Sequence, residues 1–513
     1  MVVPTERIRL LTQLPPRADA EFVLYWMIAA RRGHFNFALS RGLELAREHA
    51  RPLLILEALR VGYTWASDRL HAFVLEGMRD NQRHFAERCV SYYPYVEPEP
   101  GAGSGLLEAL ASRAVAVVTD DYPAFFLPRM LARAAEQVRV RFEAVDGNGL
   151  LPLSFAGGRS YPTAYAFRRY MQKNLERALS HVPAPDPLLR ARLPELPAAA
   201  LRQLERRYPR ARLDALEPLL SALPIDHTVG VAPHLRGGHT AARSRLQGFL
   251  ERGLPKYHDA RNHPDEDAAS GLSPYLHFGH IGTHEVFHAL CKAESWDGIP
   301  RGDRRAGTRE GFWGLSPSAE GFLDELVTWR ELAYNTAATL PDYERYDSLP
   351  AWARTTLAAH AKDPRPTLYT LKQLERAETY DEIWNAAQRE LVREGRMHNY
   401  LRMLWGKKIL EWSKSPREAL ERMVELNNKY AVDGRDPNSY AGICWVLGRY
   451  DRPWGPLRPI FGSIRYMSSD ATRKKLKLRE YLKRHAPDGG QQAGQPPKAR
   501  AKPKARGKRS PSS

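Results

Sequence analysis

Residues 22–59 read FVLYWMIAARRGHFNFALSRGLELAREHARPLLILEAL, and the fold of the first third of the chain turns on them. The runs FVLYWMI (22–28) and PLLILEAL (52–59) are apolar without alternation, as strands buried on both faces are. Between them FALSRGLELAREHA (37–50) repeats its apolar residues with helical period. Strand, helix and strand in that order wind into a right-handed parallel unit. Outward from it, YYPYVE (92–97), AVAVVTD (114–120) and VRVRFEAVD (138–146) supply further strands, and RLHAFVLEGMRDNQRHFAERC (69–89) a further helix. The prediction is an α/β, Rossmann-like parallel-sheet domain over 20–168. No GxGxxG follows the first strand, so a dinucleotide in this domain is not indicated.

From 169 to 232 the chain is rich in Pro, Leu, Arg and Ala (HVPAPDPLLRARLPELPAAA, 181–200) and reads as an interdomain linker with short helices. Over 233–485 nearly every segment has helical period, broken by turn clusters such as RNHPDEDAASG (261–271), AKDPRP (361–366) and DGRDPNS (433–439). This second domain is expected to be predominantly all-α. The tail 486–513 holds seven Lys and Arg against one Asp and is expected to be disordered. It either adds salt-sensitive attraction to phosphates or only solubilises the chain.

The whole chain has 513 residues, enough for two or three cores, and 77 Lys and Arg against 59 Asp and Glu give a net charge of +18. An extended polyanion is therefore the first partner to test. Cys89, Cys291 and Cys444 form no CxxC pair, which argues against a disulfide framework or a thiolate zinc site and fits a reducing cytoplasm. No apolar stretch approaches the ~20 residues of a membrane span, and no secretory leader pattern opens the chain. A soluble, cytoplasmic monomer without membrane contact or an obligate protein partner is expected.

Several stretches of the helical region carry chemistry. In ASGLSPYLHFGHIG (269–282), Ser273 is placed to cap a helix opening at Pro274, whose free N–H groups suit a phosphate. The preceding segment offers Tyr257 as a hydroxyl donor, and Arg261 with Asn262 for a phosphate or a base edge. In MHNYLRMLWGKKILEW (397–412), Trp405 and Trp412 stand seven residues apart, about 10 Å along nearly one helix face. Trp384 falls between them if its own helix packs antiparallel. That spacing suits either a core or a chain of electron-hopping steps. Gly406 permits a close helix approach. Glu325 and Trp329, four apart in DELVTW, are expected to share a helix face.

LSPYLHFG (272–279), FLDELVTWRELAYN (322–335), and the run from YDEIWNAAQREL (380–391) through GRMHNYLRMLWGKKILEW (395–412) to LNNKYAVDGRDPNSYAGICW (426–445) and FGSIRYM (461–467) resemble the flavin domain of the class II cyclobutane pyrimidine dimer photolyases. The resemblance covers roughly 235–485. HFNFALSRG (34–42) is similar to that family's N-W-A-L helix with Phe37 in place of Trp, which leaves the antenna chromophore unknown.

The resemblance implies a light-driven DNA-repair lyase with an FAD-binding C-terminal domain, active with fully reduced FADH⁻. Its partner would be double-stranded DNA whose pyrimidine dimer is flipped out of the stack. It places Trp405 nearest the flavin, Trp384 in the middle and Trp412 toward solvent. Tyr257, Ser270, Leu272, Ser273 and Asn399 would hold the cofactor. Arg402 would pair with Asp433 beside the flavin ring, and Asn427 would face flavin N5. Asn428, next in sequence, is open to confusion with it. Asn399 stands where the class commonly has Gly, and extra hydrogen bonding near the adenine or the lesion is expected there. Glu325 would hydrogen-bond the lesion, with Trp329, Met403 and Trp445 as apolar surfaces against it. Arg452, Trp454 and Arg465, with Arg261 and Asn262, would contact the DNA. No metal is implied. A cryptochrome-like light receptor without repair activity is the alternative, and a flavin-free DNA-binding protein a third reading. Repair of the (6-4) photoproduct also stays open, with His398 as the one histidine to consider.

Overall fold

The computed structural model describes residues 2–487; the tail from 488 onward lies outside the described residues. Six strands form one sheet in the order β1-β6-β5-β2-β3-β4. They are β1 (Ile8–Leu10), β2 (Phe22–Met27), β3 (Leu53–Leu59), β4 (Ser91–Val96), β5 (Ala114–Asp120) and β6 (Arg141–Val145). β2 through β6 pair in parallel, as the strand–helix alternation predicts. β1 differs: it runs antiparallel along β6 at the sheet edge. Its three residues, IRL, are too few and too polar to show a strand period in the sequence. Every residue of β2 and β5 is buried, which explains their unbroken apolar runs.

The first helices are α1 (Phe37–Glu48), α2 (Asp68–Ala86), α3 (Leu106–Ala111) and α4 (Leu127–Gln137). Side chains of α1 and α2 cover one sheet face through Leu43, Leu75 and Met78. Leu110 and Leu131 of α3 and α4 cover the other. α1 begins where Asn36 accepts the Leu39 N–H at 3.0 Å, while its amide donates to the carbonyls of Ala30 and Arg32. That amide spans the turn leaving β2, so the Asn of the HFNFALSRG motif is a structural cap.

α5 (Ala164–Leu179) crosses residue 169, where the linker was expected to begin. Its Phe167, Met171 and Leu175 share a core with Tyr257, Leu272 and Leu326. Among the described residues, every regular element after β6 is helical. A second core gathers Trp384, Trp405 and Trp412 with Met423 and Val446. None of the described helices is long and apolar enough to cross a membrane.

Candidate functional site: a tryptophan array and its polar neighbours

Helix Glu382–Glu394 starts on the Asp381 cap, which accepts the Trp384 N–H, and stops at Gly395, whose φ of 70° is left-handed. Four residues later helix Asn399–Trp412 turns back along it. This antiparallel hairpin puts Trp384 between the other two indoles. The rings of Trp384 and Trp405 are 6.5 Å apart and 3° from parallel, and those of Trp384 and Trp412 are 5.4 Å apart and edge-on. Each indole N–H is held: Trp384 on the Trp405 carbonyl, Trp405 on Gln388 Oε1 and Trp412 on the Tyr380 hydroxyl. Held rings keep their separations, and separation governs hopping.

The outer end differs from expectation. Trp412 is fully buried rather than facing solvent, because Tyr369 and Tyr380 close over it at ring distances of 5.2 and 5.5 Å. Gly406 faces Val446 so closely that a Cβ there would lie 2.5 Å from Val446 Cγ2.

On the same helix, one turn before the tryptophans, Arg402 pairs with Asp433 at 3.2 Å, both largely covered. Beside them Asn427 donates to Ser439 Oγ at 2.6 Å and to Asn428 Oδ1 at 3.2 Å. Asn428 donates to the Tyr440 hydroxyl and accepts from the Arg435 N–H, so its amide is committed to structure. Asn399 is exposed at the first position of its helix.

Tyr257 is buried and Ser270 half-buried, and Leu272 is buried at the N-cap of helix Ser273–His277. Ser273 does not cap. Leu272 already has helical dihedrals, which moves the helix start one residue forward and leaves Ser273 exposed with Pro274 behind it.

Glu325 and Trp329 lie in one π-helical turn, Asp324–Trp329, rather than in an α-helix. Trp329 meets Tyr450 edge-on at 6.4 Å. Burial, then the neighbouring Asp324 carboxylate, raises the Glu325 carboxyl above the ordinary range, against the pull of Arg261 and Arg309. Asp324 is itself paired with Arg168 at 2.8 Å. Arg261 lies over the Tyr257 ring at 5.3 Å, and its Nη1 is buried with no hydrogen-bond partner. Asn262 beside it is exposed.

A cationic-aromatic stack forms a separate cluster. Arg465 lies over Trp454 at 4.6 Å and over Trp445 at 5.8 Å, and Arg452 lies over Trp454 at 5.0 Å. Met403, half-buried, approaches Gly442 on the helix that carries Trp445. The sequence reading overlooked Lys407. Its ammonium is buried against the Trp445 ring at 4.9 Å and donates to the Val446 carbonyl at 2.6 Å. Burial pushes it down to about 7. Its signal was available: two adjacent lysines inside an apolar helix cannot both face water. His398 is half-buried ahead of the same helix, and burial lowers it to about 4.

Two buried nitrogens are left open for a ligand: Arg261 Nη1 and His398 Nδ1, each without a hydrogen-bond partner.

No family model matches the chain. It is similar to the deoxyribodipyrimidine photo-lyase of Methanothermobacter thermautotrophicus, 33% identical over 486 residues that cover 94% of this chain and 98% of that protein. The photo-lyase of Potorous tridactylus is 30% identical over 94% of this chain and 85% of its own length. That of Oryza sativa subsp. japonica is 34% identical over 90% and 86%. The fold is shared with a bacterial class III photolyase from Agrobacterium tumefaciens (TM-score 0.63, 18% identity, covering 92% of this chain and 88% of that one). A Synechocystis cryptochrome shares it as well (TM-score 0.62, 15% identity, covering 92% and 89%). With relatives matched at this identity along nearly their whole length, the chain belongs to the photolyase/cryptochrome family.

Proposed function

We propose that this protein is a class II-type deoxyribodipyrimidine photo-lyase, which binds FAD in the helical domain and splits cyclobutane pyrimidine dimers in double-stranded DNA under light. One observation carries the reading. Helix Asn399–Trp412 bears the inner and outer indoles of the array, Arg402, which pairs with Asp433, and Lys407 beneath the Trp445 stack. A single rigid element thus joins an electron route to a DNA-facing aromatic patch. When bound and fully reduced, FAD supplies an electron to the dimer on excitation and takes it back after the ring opens.

The chain's own residues bind, orient and tune. Arg402, braced by Asp433, would favour the anionic reduced ring, and the side-chain oxygen of Asn427 would accept a hydrogen bond from flavin N5–H. Tyr257, Ser270, Leu272, Ser273 and Asn399 line the remainder of the cofactor. Glu325, whose carboxyl burial shifts toward the protonated form, donates to a pyrimidine carbonyl of the lesion. Trp329, Met403 and Trp445 replace the stacking that a flipped dimer loses, worth ~1–3 kcal/mol per base. Arg452, Trp454, Arg465, Arg261 and Asn262 contact the DNA around the vacated position.

The test is repair of dimer-containing DNA by photoreduced protein, with the flavin spectrum recorded alongside. Light-dependent disappearance of dimers is expected, with none in the dark. Tight binding of damaged DNA without repair would sink the proposal and make the protein a light receptor.

A further inference from the structure

Beside the sheet domain, three side chains from separate parts of the chain converge. His34 lies in the turn between β2 and α1, His84 on the last turn of α2, and Asp186 in the connector after α5. One ligand atom from each lies within 4.8 Å of the others. We propose that His34, His84 and Asp186 form a binding site for a divalent transition-metal ion, zinc by ligand class, that ties the connector to the α/β layer.

Four observations support the site. His34 Nδ1 and His84 Nε2 are both buried without a hydrogen-bond partner. A buried imidazole nitrogen left unpaired is costly, so each calls for a partner. Second, the rings sit close: His34 is 4.4 Å from His84 and stacked on His239 at 4.0 Å. Third, a Cβ at Gly33 would lie 2.3 Å from His84 Cδ2, so the absence of a side chain there lets the backbone approach the ring. Fourth, Asp186 is already oriented, its Oδ2 accepting from Arg88 at 2.9 Å and its Oδ1 from the Leu188 N–H at 3.0 Å. Each carboxylate oxygen accepts more than one bond, so these contacts fix the ligand without exhausting it.

Histidine ligates through a ring-nitrogen lone pair, and each of the two rings holds a buried nitrogen without a protein partner. The cations nearby are paired with carboxylates, Arg88 with Asp186 and Arg243 with Glu285. Two imidazoles and one carboxylate are a zinc-type set, with bonds of about 2.0–2.2 Å and a fourth position for water. Closing the ligands to the ~3.4 Å separation of a tetrahedral site needs shifts under about 1 Å at each side chain.

The test uses the full chain, stripped with chelator and titrated with Co²⁺, whose visible absorption reports tetrahedral ligation, then with Zn²⁺ in competition. We expect a saturable band at a single site, displaced by Zn²⁺, and a Zn²⁺-dependent rise in Tm. His34→Gln and His84→Gln should lose both, and Asp186→Asn, which preserves shape, should weaken Co²⁺ binding at least ~10-fold. His181→Gln, an exposed histidine nearby, should change neither. If wild-type chain shows no saturable band, or D186N and wild type bind Co²⁺ equally, the site does not exist.

Discussion

Trp384 and Trp405 contact each other twice. Their rings stack at 6.5 Å, and the Trp384 indole N–H donates to the Trp405 backbone carbonyl at 3.0 Å. Because the bond runs to backbone, the middle ring stays in place when the inner side chain is changed.

Trp405→Phe therefore isolates electron transfer from architecture. Photoreduction of the oxidised flavin is expected to slow at least ~10-fold, while repair by chemically reduced protein is spared. The side chain also leaves Gln388 Oε1, fully buried, without its donor, at a cost of about 1–3 kcal/mol in denaturant unfolding. Equal loss of photoreduction and repair would show that this ring is not the inner step.

Glu325 gives a pH signature. Its carboxyl is raised by burial and by Asp324, so the folded protein favours the protonated form. Stability from this group is fully present below the ordinary carboxyl range and is lost as pH rises through the raised folded value. Repair should decline over the same rise, since the ionised form cannot donate to the lesion. Glu325→Gln should flatten both profiles in stability and in initial repair rate; an unchanged pH dependence would remove Glu325 from the role.

Arg465 is exposed and stacked on Trp454, where we propose that it contacts the DNA backbone. Arg465→Ala should weaken binding to damaged and undamaged duplex alike and reduce the slope of log K against log salt by about 1. A loss confined to damaged DNA, with the slope intact, would move Arg465 from phosphate contact to lesion contact.

Gly406→Ala tests the packing that holds the array. The added methyl would meet Val446 Cγ2 at 2.5 Å and Met423 Sδ at 3.0 Å. Overpacking costs about 1–3 kcal/mol, against a helix-propensity gain of ~1 kcal/mol. A net loss of stability is expected by thermal unfolding, with slower photoreduction as the helices separate.

Much of this was legible in local pattern. Unbroken apolar runs marked β2 and β5 because both sheet faces are covered, and helical period marked the hairpin carrying the indoles. Motif resemblance pointed to Arg402 with Asp433, and the two side chains do meet. Where the reading went astray, the deciding contact came from elsewhere in the chain or from an irregular turn. Trp412 is buried because Tyr369 and Tyr380 fold over it. Ser273 loses its capping place to helical dihedrals at Leu272. The turn that carries Glu325 and Trp329 is π-helical, which the i, i+4 spacing did not reveal.

The sequence by itself determined which faces are apolar, where helices start and stop, and the net charge that suits a polyanion, since each depends on neighbours a few residues apart. Only the tertiary structure decided which faces meet: Trp384 between two indoles, Lys407 under Trp445, and His34 beside His84 and Asp186. Periodicity fixes how a segment presents its side chains. Burial against distant segments fixes what those side chains touch, and so their protonation and their chemistry.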